Sequence, residues 1–152
     1  AFGLDRLSDP SKPGGTDISE DNPCEELLRV RGSGEFHGYP YCWPAYSLPE
    51  GFPRAELGAG AMHVTPQHRG SEHTDESCAS EKVVEPDFCF PGHFAPLGAR
   101  FQQHRGSALY APPDEFDGDL YVFSHGSWNR RVPQGYAVLR VPFDQETGMP
   151  RS

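Results

Sequence analysis

Glycine and proline set the first limit on this chain. Its 152 residues include 17 Gly and 16 Pro, about a fifth of the total, spread along the whole length. Proline removes a backbone donor and clashes with the preceding helical turn, and glycine adds entropy to the unfolded chain. Long amphipathic helices do not survive that density of breakers. Two options remain: a disordered chain or an all-β, loop-rich fold. A net charge of -9 and low mean hydropathy favour disorder. The 10 Phe, 6 Tyr and 2 Trp oppose it, because disordered chains lack aromatic rings to bury. An all-β fold is therefore expected, with flexibility confined to a stretch around Arg69 to Lys82.

Charge and cysteine narrow the setting. The 22 acidic residues outnumber 13 basic ones, which argues against nucleic acid or an anionic membrane as partner. No apolar run approaches the length of a membrane helix. The chain starts at Ala1 without Met, signal peptide or lead-in loop and ends on a turn, Gly148-Met149-Pro150. Cys24, Cys42, Cys78 and Cys89 contain no C-x-x-C, so a structural zinc site is not expected. Four cysteines allow three pairings. One or two disulfides in an extracellular or secretory compartment is the preferred reading, and four buried thiols the alternative.

Local patterns place the elements. Ala1 to Pro23 is polar and turn-rich. Glu25 to Val30 is helix or strand by pattern alone, ended by Gly32 and Gly34. Phe36 to Pro44 is dense in rings but interrupted by Pro40 and Pro44, so it reads as an extended segment whose Tyr39, Tyr41 and Trp43 fill a junction between sheets. Leu48 to Glu85 is poor in apolar residues, with His63, His68 and His73 scattered through it, and reads as a long insertion or edge loop. His93 to Phe101 looks like a loop entering a strand. Phe116-Asp117-Gly118-Asp119 is a turn, without the ligand spacing of a calcium loop. Leu120 to Phe123 is a strong strand. Tyr136 to Phe143 alternates, with Ala137, Leu139, Val141 and Phe143 on one face. The loop between these two strands carries His125, Trp128, Asn129 and Arg130, a common way to present chemistry from a rigid sheet. Glu25 and Glu26, adjacent on a strand, point to opposite faces, which predicts one solvated carboxylate and one loop anchor.

Five blocks in order carry a resemblance. Ala1-Phe2-Gly3-Leu4-Asp5-Arg6-Leu7, Asp21-Asn22-Pro23-Cys24-Glu25-Glu26-Leu27 and Gly38-Tyr39-Pro40-Tyr41-Cys42-Trp43 come first. His93-x-Ala95-Pro96-Leu97-Gly98 and His125-Gly126-Ser127-Trp128-Asn129-Arg130 follow, the last continued by Gly135-Tyr136-x-Val138-x-Arg140-Val141-Pro142-Phe143. Together they resemble the soluble quinoprotein glucose/sorbosone dehydrogenases.

The resemblance implies an all-β chain amounting to two to two and a half blades of a six-bladed β-propeller, a single partial domain over 1–152 with a long loop insertion around 48–89. It implies part of an oxidoreductase that oxidises the hydroxyl of an aldose or related sugar, with pyrroloquinoline quinone (PQQ) and Ca²⁺ as cofactors and an external electron acceptor. A pair of backbone carbonyls for Ca²⁺ falls on Gly3 and Leu4. A polar contact to the quinone falls on His93. A second falls on the loop after Phe123, where relatives carry a Lys. This chain has none there, and the role passes to His125, Asn129 or Arg130. Trp128 is the candidate for stacking on the sugar. The family's catalytic histidine precedes the first block, so no catalytic residue is expected within these 152 residues. The alternatives are a non-catalytic propeller that binds a glycan or protein, and a piece of an incomplete gene that aggregates when isolated.

Overall fold

The structure is a computed structural model that describes residues 18–80, 82–103, 106 and 112–151. Besides two 3₁₀ turns at Ala55–Leu57 and Asp114–Phe116, seven short strands and one α-helical turn lie among the described residues. They are β1 (Glu25–Leu27), β2 (Cys42–Pro44), β3 (Met62–Val64), α1 (Asp75–Cys78), β4 (Phe88–Phe90), β5 (Pro96–Phe101), β6 (Leu120–Ser124) and β7 (Val138–Val141). All pairings are antiparallel, in sheets ordered β1-β4, β2-β3 and β5-β6-β7. The all-β expectation is met at this level. Among the described residues no sheet exceeds three strands. The chain divides into two compact units, one ending at His93 and the other starting at Phe94.

In the first unit the sheets are too short to hold themselves together, and side chains and disulfides do the joining. Cys24 is bonded to Cys89 and Cys42 to Cys78, leaving no free cysteine. Of the three pairings open to the sequence, this one ties the start of β1 to β4 and β2 to α1. Asn22 is buried and fully engaged. Its Nδ2 donates to the carbonyls of Ile18 (3.0 Å) and Ser47 (2.6 Å), and its Oδ1 accepts from the amides of Tyr46 (2.7 Å) and Ser47 (3.1 Å). One amide side chain thus pins two loops, which is why the Asp-Asn-Pro block needs Asn there. Gly92 passes so close that a Cβ would sit 2.9 Å from the Pro23 carbonyl.

The core of this unit has two patches. Ile18, Trp43, Ala45 and Phe52 form one, and Cys42, Met62, Val64, Cys78 and Val83 the other. All of that second patch but Cys42 comes from the stretch expected to be a loop. Met62, His63 and Val64 make β3, opposite Pro44, Trp43 and Cys42 in register. The segment 69–82, expected to be flexible, contains α1, capped reciprocally by Thr74 and Ser77, and the buried Cys78. Asp75 is buried on the same turn, accepting from the Val64 amide at 2.9 Å, with Arg69 at 3.3 Å. The aromatic run splits. Trp43 is buried and its Nε1 donates to the Val64 carbonyl at 3.0 Å, but Tyr39 is 83% exposed and fills no core. The turn at 39–41 swings the Tyr39 ring outward before β2 begins.

The second unit is a meander. β6 pairs with β5 and β7, and a register irregularity between Pro96 and Gly98 bends the β5 edge. Leu120, Val122 and Val141 are buried. The alternation expected for β7 is not seen in burial, since Val138 and Leu139 are both exposed on this edge strand. Asp119, buried in the turn before β6, accepts from Arg140 Nη1 (2.7 Å) and the Phe143 amide (2.9 Å), and Arg140 lies over the Phe116 ring. The expected turn is thus held by the Asp119 carboxylate.

Candidate functional site

In the second unit, the loop between β6 and β7 is a built structure. The Ser127 amide donates to the Gln134 carbonyl (2.7 Å), the Gln134 amide donates to Ser127 Oγ (2.9 Å), and the Tyr136 hydroxyl donates to the Ser127 carbonyl. Its base is fastened to the preceding loop, where the amides of His125 and Gly126 donate to the carbonyls of Ala95 (3.0 Å) and Phe94 (3.2 Å). Gly135 has φ +92°, and a Cβ there would meet Gly126 Cα at 2.6 Å, so only glycine closes the loop. Ala95 and Tyr136 also have positive φ, at 50° and 56°. Backbone strain of this kind persists only where the surroundings over-determine it.

The consequence is presentation. Buried Ser127 holds the loop from inside, which leaves His125, Trp128 and Asn129 exposed and Arg130 half-buried. Trp128 is 82% exposed. His125 Nδ1 donates to the Gly126 carbonyl at 3.3 Å, and Arg130 Nε donates to the Val132 carbonyl at 3.1 Å. The structure therefore brings four of the sequence-predicted residues onto one loop. The loop thus carries guanidinium, imidazole and amide groups beside an exposed indole. That donor chemistry fits a planar polycarboxylate.

His93 belongs to the first unit. Its backbone is in the left-handed region at φ 61°, and its Nε2 donates to the Ser19 carbonyl at 2.6 Å. Gly3 and Leu4 lie outside the described residues. Among the described residues no group of three or more His, Cys, Asp and Glu side chains is arranged for a metal ion.

Sequence reasoning missed a second feature of the first unit. A cavity of about 310 Å³ is lined by Pro23, Glu26, Tyr39, Trp43, Gln67 and His68, among others. Glu26 does not anchor a loop. Its Oε2 is buried with no hydrogen-bond partner among the described residues. Burial, with the negative charge of Glu25 adding to it, pushes the carboxyl up to about 7. His68 also lines the cavity, its Nδ1 2.8 Å from Thr65 Oγ1 and its ring edge-on to Tyr41 at 4.9 Å. The Asp-Asn-Pro-Cys-Glu-Glu and Gly-Tyr-Pro-Tyr-Cys-Trp blocks both contribute to its lining.

Comparison with known proteins agrees with these motifs. A family model described as TrAA12-like matches residues 2–152. A pyrroloquinoline quinone-dependent pyranose dehydrogenase of Coprinopsis cinerea is 32% identical over 130 residues, covering 83% of this chain and 16% of that protein. Among solved structures, the calcium structure of a Trichoderma reesei family AA12 carbohydrate-active enzyme superposes with a TM-score of 0.69 at 28% identity, covering 97% of this chain and 34% of that one. The holo form of the PQQ domain of Coprinopsis cinerea pyranose dehydrogenase gives 0.67 at 27% identity, with 98% and 34% coverage. The chain thus spans about a sixth of the curated relative and about a third of the solved chains, and its homology to PQQ-dependent pyranose dehydrogenases covers most of its length. The chain belongs to the TrAA12-like family.

Proposed function

We propose that this chain is part of a PQQ-dependent oxidoreductase that oxidises the hydroxyl of an aldose or related sugar, built as two to two and a half blades of a six-bladed β-propeller. The loop after β6 carries this reading, because its backbone is locked by Ser127 and Gly135 while His125, Trp128 and Asn129 are exposed. In the proposal His125, Asn129 and Arg130 contact carboxylates of the quinone, His93 contributes a polar contact, and Trp128 stacks on the sugar. Gly3 and Leu4 offer carbonyls to Ca²⁺. When bound, the quinone supplies the two-electron redox chemistry, with an external acceptor to regenerate it. The chain's own residues bind and orient. Its two disulfides favour an extracellular or secretory setting. Among the described residues no helix is long and apolar enough to cross a membrane.

Calorimetric titration of PQQ into the purified chain tests the reading, first with Ca²⁺ and then with chelator. Saturable, calcium-dependent binding that weakens about tenfold in Arg130→Ala is expected, the loss of one charge-assisted contact. No heat of binding to a protein whose circular dichroism shows a folded β chain would refute it and favour a propeller used for recognition.

A further inference from the structure

We infer that Tyr136 is a positioning residue, which fixes the plane of the Ser127–Trp128 peptide and so sets the direction in which Trp128 leaves the loop after β6. Its use in a ligand site rests on the sugar-oxidising reading; its hold on the loop does not.

Tyr136 stands out by its backbone. Its φ is 56°, a region that a bulky L-residue enters only under constraint, and it follows Gly135 at φ 92°. Core packing does not account for the strain, because Tyr136 is 63% exposed. What its side chain touches is the loop itself. The hydroxyl donates to the Ser127 carbonyl, nine residues earlier. The ring occupies the space that a side chain at position 126 would need, since a Cβ on Gly126 would sit 2.6 Å from Tyr136 Cδ2 and 2.7 Å from its Cγ. The same ring lies 6.3 Å from that of His125, centroid to centroid, with the planes tilted by 43°.

The hydroxyl bond decides where Trp128 points. A peptide unit is planar, so the Ser127 carbonyl and the Trp128 amide can turn only together. The peptide before it is already held, because the Ser127 amide donates to the Gln134 carbonyl at 2.7 Å. With the Tyr136 bond, both planes flanking Ser127 are fixed and the Trp128 Cα is placed. Without it, the second plane can rotate and carry Trp128 with it. Trp128 is 82% exposed, so its placement comes from the backbone beneath it rather than from packing. Glycine would adopt φ 56° without strain and serve the turn alone. Tyrosine adds strain there and supplies order to the loop, as expected where a site is organised before its ligand arrives.

Two substitutions separate positioning from fold. Tyr136→Phe keeps the ring and removes only the hydroxyl; Tyr136→Gly removes the side chain and relieves the backbone. Amide nitrogen relaxation on the full chain, without quinone, reads the Trp128 backbone directly. Its order parameter is expected at about 0.85 in the wild type and below about 0.6 in both variants, while the Trp43 amide in the first unit is unchanged. The urea midpoint should move little in Tyr136→Gly, where relief of strain offsets the lost contacts. With PQQ and Ca²⁺, affinity should fall about fivefold in Tyr136→Phe, the worth of one neutral hydrogen bond, and further in Tyr136→Gly. A Trp128 amide as ordered in Tyr136→Phe as in the wild type overturns the positioning role. So does a Tyr136→Phe variant with a lowered urea midpoint but unchanged order and affinity, which would make the hydroxyl a fold contact only. Wild-type protein that does not bind PQQ, with Trp128 disordered in both variants, overturns the sugar-oxidising reading and supports the positioning role.

Discussion

His63 is an unusual core residue, and replacing it should make the protein more tolerant of acid. It is 0% exposed in the centre of β3, stacked on Trp43 at 5.1 Å and edge-on to Phe52 at 6.2 Å. Neither ring nitrogen has a hydrogen-bond partner among the described residues. Burial, the leading cause, holds its pKa below the usual 6.5; Arg54 and Arg69 push the same way, and Asp75 pushes back. Folding therefore favours the neutral ring. The unfolded chain binds the proton more readily, so the stability His63 allows is present above 6.5 and lost as pH falls below it. The slope approaches about 1.4 kcal/mol per pH unit. His63→Leu removes two unsatisfied polar atoms, each worth about 1–3 kcal/mol, and forfeits a ring stack worth about 0.5–1.5 kcal/mol. The net expectation is a variant at least as stable as wild type at pH 7.5, by about 1 kcal/mol, with a lead that widens as pH falls below 6.5. Urea unfolding, followed by tryptophan fluorescence at both pH values, reads the difference. If the variant is destabilised equally at both, the imidazole has a partner, and the reasoning fails.

Two further outcomes follow from the same geometry. For Glu26 the sign is reversed: its folded pKa, about 7, lies above the ordinary 4.5, so stability is full below 4.5 and declines as pH rises towards 7. Linkage gives about 3 kcal/mol, which solvent in the cavity reduces to about 1–2 kcal/mol. Glu26→Gln should gain that much at pH 8.5 and nothing at pH 4, by the same urea assay. The disulfides close separations of 65 and 36 residues, for which chain entropy gives about 4 kcal/mol each. Replacing either pair by Ala should lower the urea midpoint by a similar amount, and a loss confined to one pair would show that the other closes structure already held without it.

Where the sequence was readable, the elements were long and their turns chemically explicit. The strand over Leu120 to Phe123 and the Asp117-Gly118-Asp119 turn both stand, because β-branched and aromatic density and an Asp-Gly pair act locally. The loop from His125 to Arg130 was legible for the same reason, lying between two recognisable strands. The first unit was not, for want of periodicity. Three-residue strands such as Met62–Val64 are shorter than any pattern that distinguishes a strand from a loop. Pairing of the cysteines depends on which of those strands meet, and spacing carries no such information. Tyr39 was misjudged because ring density predicts burial of a run as a whole, whereas the turn at 39–41 sends one ring out and Trp43 in. The β7 alternation failed in burial because period 2 sorts side chains to two faces without saying that either face is covered.

His63 and Glu26 share one signature, a buried polar atom with no hydrogen-bond partner among the described residues, and they titrate in opposite directions. His63 stacks on Trp43 and meets Phe52 edge-on, and burial favours its neutral ring. Its unsatisfied nitrogens are a standing cost that a hydrophobic replacement removes. Burial likewise favours the neutral Glu26 carboxyl, so there the cost falls on the charged form and grows as pH rises. One physical cause thus sets two opposite pH slopes: His63→Leu should gain most at low pH, and Glu26→Gln at high pH.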